Sequence, residues 1–203
     1  MKLYFSPGAC SLAVHIALRE AGLPFDLAKV DLATHKLADG SDFFAVNPRG
    51  YVPVLETAPG ERRTEVTALL LKVASLAPAK ALLPPAGSPQ HDQALQWLVF
   101  VATELHKTFS PWLWHKETAA STRDAAKQKL AARFTDMDAH LAQAPWLAGE
   151  AFSVADIYGF TIVNWSNFLG ISLKPYPVLS AWMDRVRARP AVQDALGAEG
   201  LLS

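Results

Sequence analysis

Short apolar runs and helical spacings alternate through the first part of this chain. Residues 2–6 form an apolar run that ends at Pro7-Gly8, and residues 11–20 then place apolar side chains at helical intervals. Apolar and polar positions alternate in residues 25–32, as they do in a half-buried strand. The pattern therefore predicts a strand, a helix and a second strand, which together make a βαβ unit.

A second group of elements follows a turn at residues 47–50. Residues 52–56 have the composition of a strand, although Pro53 within it is tolerated only at a sheet edge or in a special turn. Pro59-Gly60 predicts a hairpin turn into a further strand, and residues 65–76 return to helical spacing. This first part of the chain is thus predicted as βαβ followed by ββα.

Prolines mark a boundary near residue 84. Pro84, Pro85 and Pro89 lie close together, with glycine and serine between them, and this composition is typical of a linker. After them the strand signals cease, and the spacing of apolar residues predicts helices at about 90–116, 121–143, 154–168 and 177–189. We therefore predict an amino-terminal domain of residues 1–78, a linker of residues 79–89 and an all-helical carboxy-terminal domain of residues 90–203.

Ser153 and Asp156 have the spacing of a capping box at a helix start. The serine side chain can accept a bond from the Asp156 backbone N–H while the aspartate reaches back to the serine backbone. A catalytic pair is the alternative, but the cap accounts for both residues and for Phe152 and Ile157 as a flanking hydrophobic contact. We predict a structural role for the pair.

The composition excludes several classes of function. Lys plus Arg and Asp plus Glu both total 19, so no net charge attracts nucleic acid or an anionic membrane. One cysteine cannot form an intramolecular disulfide, and the six histidines show no zinc-ligand spacing, so we predict no metal. No signal peptide or membrane-spanning run is found. These features predict a cytoplasmic protein with no nucleic-acid or membrane partner.

Cys10 is the first candidate for chemistry. It follows the Pro7-Gly8 turn at a predicted helix start, where unpaired backbone N–H groups and the helix dipole favour the reactive thiolate. Alternatively, a lone cysteine is a small buried hydrophobic residue, and its neighbours do not decide between these interpretations. Because no second cysteine exists, any redox cycle needs an external thiol.

The chain resembles the beta class of bacterial glutathione transferases in segments that recur in the same order along nearly its whole length: MKLYFSPGACSLA, AVNPRGYVPVLE, WLVFVATELHK, FSVADIYGF and RPAVQDAL. This resemblance implies a thioredoxin-like amino-terminal domain joined to an all-helical domain. It also implies a homodimer that conjugates glutathione, its co-substrate, to small hydrophobic electrophiles.

The resemblance also assigns roles to particular positions. It implies a cis peptide bond at Val52-Pro53, where the Val52 backbone pairs with glutathione as an added strand; an edge-strand proline without a ligand is the alternative. Catalytic positions are implied for Cys10 and His106, and glutathione-binding positions for His35, Val52, Pro53, Glu65, Val66, Thr103 and Glu104. Ser11, whose hydroxyl lies at the same helix start as Cys10, is a lesser catalytic candidate for stabilising the thiolate. Cys10 would either hydrogen-bond the glutathione thiolate or form a mixed disulfide with it and support thiol exchange or peroxide reduction.

His106 and the aromatic residues after it have two interpretations each. By resemblance His106 donates a hydrogen bond to sulfur or, when neutral, accepts its proton; otherwise it is an ordinary polar helix position. Phe109, Trp112 and Trp114 either wall a pocket for the electrophile or pack in the core. The residues alone do not identify the electrophile.

Three departures from the family pattern remove polar contacts: Val66 replaces a small residue, Val99 an asparagine and His35 a lysine. Val66 is also expected to narrow the site. These changes motivate a second hypothesis, in which the chain is a binding or regulatory protein with weakened glutathione chemistry.

Overall fold

The computed structural model describes residues 1–202, which divide into two compact units. The first unit contains residues 1–82 together with the carboxy-terminal segment from Arg189, and the second contains residues 83–188. No helix among the described residues is long and apolar enough to cross a membrane.

A five-stranded sheet forms the centre of the first unit, in the order β3-β2-β1-β4-β5. The strands are β1 (Lys2–Phe5), β2 (Asp26–Asp31), β3 (Lys36–Leu37), β4 (Val54–Glu56) and β5 (Arg62–Arg63). β1 and β2 run parallel, and every other neighbouring pair is antiparallel. The sheet is therefore mixed, with its parallel pair joined through a helix as in a βαβ unit.

The helices, including a short turn of helix at α6, follow in chain order. They are α1 (Ser11–Glu20), α2 (Val66–Leu76), α3 (Pro89–Phe100), α4 (Ala120–Leu141), α5 (Val154–Val163), α6 (Trp165–Phe168), α7 (Pro177–Arg187) and α8 (Pro190–Ala198). α1, α2 and α8 belong to the first unit. The chain thus has a thioredoxin-like amino-terminal domain and a helical second unit, as the resemblance implied.

Apolar side chains cover both faces of the sheet. Tyr4 and Val54 are partners across β1 and β4, and they pack with Val30, Phe43 and Val52 on one face. Their neighbours Leu3 and Leu55 are also partners and are fully buried. Because side chains alternate along a strand, these two leucines lie on the opposite face. Both faces of β1 are therefore buried.

The structure differs from the predicted helix 90–116 in its second half. After α3 the backbone widens into a π-helical segment, Val101–His106, and a last helical turn covers Lys107–Phe109. The helix ends there because Pro111 has no N–H to donate to the preceding turn. The Ser110-Pro111 peptide bond is cis. The predicted helix 154–168 is likewise divided, into α5 and α6, at Asn164.

The carboxy-terminal segment also differs from the predicted boundaries. We predicted that residues 90–203 form one helical domain, whereas the segment from Arg189, including α8, packs with the first unit against α1. The two-residue strand β3 was not predicted either.

The capping box at α5 is confirmed. The Ser153 backbone N–H donates to Asp156 Oδ2 over 2.9 Å, and the Ser153 side chain caps the helix start. Asp156 is fully buried and accepts two further bonds at Oδ1, from the Leu147 N–H at 2.9 Å and from Trp182 Nε1 at 3.1 Å. Burial raises the pKa of Asp156, while these donors act in the opposite direction. The carboxyl group therefore joins three separate segments of the second unit.

Candidate functional site

Cys10 lies at the start of α1 in the first unit. It is the residue before the first helical turn, is half-buried, and its Sγ donates to the carbonyl oxygen of Val52 over 3.5 Å. This contact places the thiol beside the turn that precedes β4. The predicted positions Cys10 and Val52 are thus brought together, although 42 residues separate them.

The turn that presents Cys10 is held by hydrogen bonds at both sides. Ser11 is fully buried, and its hydroxyl accepts the Ser6 N–H at 3.2 Å and donates to the Ser6 carbonyl at 3.3 Å. Gly8 has a φ of 71° and donates its N–H to Glu199 Oε2 over 2.9 Å. The structure therefore places the Ser11 hydroxyl on the turn that carries Cys10.

Glu199, just after α8, connects this turn to α1. Its side chain and that of His15 are fully buried, and Glu199 Oε1 lies 2.8 Å from His15 Nδ1. Arg19 Nε donates to His15 Nε2 over 2.9 Å. Since arginine has only donors, Nε2 carries no proton, and the histidine must donate through Nδ1 to the carboxylate. A buried anion, a neutral imidazole and a guanidinium thus form one chain of hydrogen bonds, which we call the Glu199 network.

An ion pair fixes the beginning of α8. Arg189 Nε and Nη2 lie 2.6 Å and 2.9 Å from the two carboxylate oxygens of Glu20, at the end of α1. This two-pronged geometry is the strongest form of arginine–carboxylate contact. Both ends of α8 are therefore tied to α1, so the last helix helps to set the position of the helix that begins at Cys10.

The turn before β4 contains the cis peptide bond between Val52 and Pro53, which confirms the expectation from resemblance. Pro53 precedes the strand rather than lying within it, which corrects the predicted strand 52–56. The Val52 side chain is buried in the core, so its backbone is the part directed to the Cys10 thiol.

Glu65 begins α2 from an unusual backbone conformation, with φ of 68° and ψ of 112°. Its Oε1 accepts the Tyr51 hydroxyl over 2.8 Å, and Arg49 Nη1 donates to that hydroxyl over 3.3 Å. The hydrogen bond to Glu65 is the main reason that the pKa of Tyr51 is raised. Val66 follows as the first helical residue, only 6% exposed, so its side chain fills the core and its backbone N–H opens the helix.

His35 lies in the turn between β2 and β3 with a φ of 53°. Its ring stacks on Phe44 with 4.6 Å between centroids, and its buried Nδ1 has no hydrogen-bond partner among the described residues. A side chain at Gly50 would place Cβ 2.6 Å from Phe44 Cε1 and 3.0 Å from His35, so only glycine fits there. His35 thus packs against the loop that carries Tyr51 and Val52.

In the second unit, His106 is held by aromatic side chains. Its Nδ1 lies 2.7 Å from the Tyr158 hydroxyl, and its ring meets Trp165 edge-on at 5.1 Å. Burial, with a smaller contribution from Lys107, lowers the pKa of His106 to about 4. The imidazole is therefore neutral near pH 7, where so weak a base serves better as a hydrogen-bond donor than as a proton acceptor.

Thr103 and Glu104 lie in the π-helical segment. Thr103 Oγ1 donates to the Val99 carbonyl over 3.0 Å. Glu104 Oε2 forms ion pairs with Lys129 Nζ at 3.2 Å and Arg133 Nη1 at 3.3 Å, both on α4. The Glu104 carboxylate is thus committed to contacts within the second unit.

The aromatic residues after His106 divide between core and surface. Phe109 is fully buried and packs on Phe134 and Trp165, so the core interpretation applies to it. Trp112 and Trp114 are 47% and 42% exposed, and Trp114 meets Trp165 edge-on. Within residues 1–202, no group of three or more His, Cys, Asp or Glu side chains is arranged to hold a metal ion.

Acidification is expected to destabilise the second unit through His106. An unfolded histidine binds a proton near pH 6.5, whereas the folded pKa is about 4, so between these values the unfolded chain binds more protons. The free energy of unfolding that depends on a neutral His106 is fully present above pH 6.5. It decreases as pH falls toward 4, and the total loss is about 3 kcal/mol at most.

Urea unfolding at about pH 7 and about pH 4.5 measures this effect. The loss of stability on acidification should be smaller in His106→Gln than in the unmodified protein, and His115→Gln, at an exposed histidine of the same unit, is the control. An equal loss in all three proteins would contradict the assignment.

Sequence reasoning missed Tyr51, His15 and Glu199. Tyr51 appeared only within the segment AVNPRGYVPVLE, and Glu199 contacts His15 across 184 positions of the chain. No local pattern identifies such a pair. The sequence shows only that Glu199 directly follows an apolar helix. A glutamate at such a position is ordinarily expected at the surface.

Comparison with known families supports the same fold. Residues 7–76 match the family model described as the amino-terminal domain of glutathione S-transferase, and residues 100–190 match the model of its carboxy-terminal domain. The two matches lie in chain order and cover most of the sequence.

Individual relatives match from end to end. Glutathione S-transferase GstA of Escherichia coli O157:H7 is 40% identical over 201 residues, which cover 99% of this chain and all of that protein. A sphingomonad glutathione S-transferase, solved in complex with glutathione, has a TM-score of 0.94 at 45% identity, with both chains fully covered. A bacterial beta class glutathione S-transferase from Sphingomonas chungbukensis has a TM-score of 0.94 at 44% identity, again with full coverage.

Proposed function

Because the chain belongs to the glutathione S-transferase family, we propose that it binds glutathione on its first unit and transfers it to a small hydrophobic electrophile. The relatives are named glutathione S-transferases, and one of them was solved with glutathione bound. The proposal for this chain rests on its own residues, as follows.

One observation carries the proposal: two contacts bring three separate loops of the first unit together. The Cys10 thiol reaches the Val52 carbonyl over 3.5 Å, and the neighbouring Tyr51 reaches Glu65 over 2.8 Å. A thiol, a strand-like backbone and a carboxylate at a helix start are therefore joined through these loops. A tripeptide with a central thiol, one ammonium group and two carboxylates matches this set of groups.

Each loop then has a distinct task. The backbone of Val52, set by Pro53, pairs with the central residue of glutathione as an added strand would. Glu65 receives the γ-glutamyl ammonium group, and the backbone N–H of Val66 receives the adjacent carboxylate, which the positive end of the α2 dipole favours. His35 packs against the loop that carries Val52. Because the ligand contacts are made by backbone groups and by Glu65, the Val66 side chain, which is buried in the core, does not interfere with glutathione binding.

Cys10 takes part in thiol chemistry with the ligand. In the presence of oxidised glutathione, its thiolate attacks one sulfur, a new bond forms between Cys10 and one glutathione, and the other leaves as a thiolate that takes up a proton. With reduced glutathione, the same side chain hydrogen-bonds the ligand's sulfur. Ser11 supports both roles because it holds the turn.

Incubation with oxidised glutathione followed by intact-mass measurement tests the proposal. We expect the chain to gain one glutathione, to lose it on addition of a reductant, and to gain none in Cys10→Ala. Cys10→Ser serves as the matched variant, which keeps a hydrogen-bond donor but cannot form the disulfide. No adduct, together with no binding of reduced glutathione, would overturn the proposed function.

A second candidate function is a binding or regulatory protein with weakened glutathione chemistry. Two substitutions favour it: Val99, 56% exposed, and His35 both stand where the family places polar side chains. Retention on immobilised glutathione without conjugation of an aryl halide would support this candidate, and retention with conjugation would exclude it.

We propose further that the protein is a cytoplasmic homodimer, as the resemblance implies. A neutral overall charge and a single cysteine are compatible with a reducing compartment. Mass measurement of the unmodified protein under native conditions should then give twice the 22.0 kDa of one chain.

A further inference from the structure

We propose that Tyr51 is a positioning residue that sets the Glu65 carboxylate for the ammonium group of glutathione, with Arg49 fixing the Tyr51 hydroxyl in turn. This inference rests on the proposed function, because it concerns how the same site recognises the γ-glutamyl end of the ligand. The three residues form a chain of two hydrogen bonds on the surface of the first unit.

The direction of these bonds follows from the chemistry of the groups. Arginine can only donate, so the Tyr51 oxygen accepts from Arg49 Nη1 at 3.3 Å. The hydroxyl hydrogen is then left for Glu65 Oε1 at 2.8 Å, a charge-assisted bond. The guanidinium polarises the hydroxyl and strengthens its donation to the carboxylate. The chain of bonds therefore fixes one oxygen of Glu65 and leaves the other for a ligand.

The backbone on both sides of the hydrogen bond is held in place. Asn47 Nδ2 donates to the Tyr51 carbonyl over 2.7 Å, and the N–H groups of Arg49 and Gly50 return to Asn47 at 3.2 Å and 2.9 Å. Glu65 has a φ of 68°, a strained conformation that a residue with a side chain rarely adopts. Such a conformation typically marks a functional position, and here it directs a carboxylate from a helix start toward a tyrosine.

The exposure of these side chains favours a role in binding over a role in folding. Tyr51 is 38% exposed, and Arg49 and Glu65 are both exposed. Hydrogen bonds between exposed side chains contribute little to stability because water competes for them. In contrast, binding to a carboxylate that is already ordered loses less side-chain entropy than binding to a mobile one.

Calorimetric titration with reduced glutathione tests the inference in Tyr51→Phe, which removes only the hydroxyl. We expect the dissociation constant and KM to rise by about three- to tenfold, the range of one hydrogen bond, while kcat is unchanged because Tyr51 does not contact the sulfur. Arg49→Met should weaken binding in the same direction by a smaller factor. Tyr176→Phe removes a hydroxyl from the second unit and is the matched control, with unchanged binding.

A ligand without the amino group separates positioning from a general effect on the loop. Glutaryl-cysteinyl-glycine lacks only the ammonium group of glutathione, so it should bind Tyr51→Phe and the unmodified protein equally. In a Glu65→Gln background, Tyr51→Phe should cause no further loss for glutathione. Equal weakening for both ligands, or unchanged glutathione binding in Tyr51→Phe, would overturn the inference while the proposed function stands. Absence of glutathione binding in the unmodified protein would overturn both.

Discussion

Replacing Glu199 by alanine is expected to lower the stability of the protein by about 3 to 5 kcal/mol, since it removes a buried carboxylate and leaves the two donors that it accepts without a partner in the core. The carboxylate is fully buried and accepts the Gly8 N–H at 2.9 Å and His15 Nδ1 at 2.8 Å. Its loss also removes the anion that balances Arg19. For a chain of this length, the midpoint of thermal unfolding should fall by about 10 °C.

The control for this variant is Glu61→Ala, at a glutamate of the same unit whose side chain is 61% exposed. Its ion pair with Arg63 lies at the surface, so its replacement should change the stability by less than about 1 kcal/mol. Similar midpoints for Glu199→Ala and Glu61→Ala would contradict the buried Glu199 network.

The same variant should also slow the reaction of Cys10, measured well below the unfolding midpoint. Glu199 holds the Gly8 N–H, two residues before the cysteine, so its loss releases one side of the turn. Misplacement of a reacting group by a fraction of an ångström costs rate, and we expect mixed-disulfide formation to slow by about tenfold. An unchanged rate would show that Ser11 alone positions the turn.

Replacing Asp156 by alanine is expected to cost about 3 to 5 kcal/mol as well, for a related reason in the other unit. The substitution leaves the N–H groups of Ser153 and Leu147 and Nε1 of Trp182 without their acceptor in the core. Thermal unfolding should again fall by about 10 °C. Unlike Glu199→Ala, this variant should react normally at Cys10 while it remains folded.

Asp92 provides the comparison for this second variant. It also lies in the first turn of a helix, α3, but its side chain is 79% exposed. Asp92→Ala should therefore change stability by less than about 1 kcal/mol, the usual size of a surface effect. A small change in Asp156→Ala itself would mean that the core rearranges to supply the missing acceptors.

Local patterns predicted the elements whose residues lie close together along the chain. α1, α2 and the capping box at Ser153 follow from spacings of three and four residues, which a sequence displays directly. The cis bond at Val52-Pro53 was expected from the resemblance alone, not from any local pattern.

Contacts between distant residues were beyond such reasoning. His15 has the position of an ordinary helix residue, and only the fold shows that α8 returns to bury it with Glu199. Tyr51 and Glu65 are separated by 14 positions and meet because two loops converge. The two-residue strand β3 was missed because its length is below what alternation can reveal.

The return of α8 to the first unit determines when this unit can be completed during synthesis. Residues 1–82 leave the ribosome early, but the carboxylate of Glu199 follows only after the whole second unit. At ordinary rates of elongation that delay is about 5 to 20 s. Throughout this interval His15 lacks the Glu199 acceptor and the Cys10 turn lacks one of its anchors, so the nascent chain acquires its ordered thiol only after α8 has been synthesised.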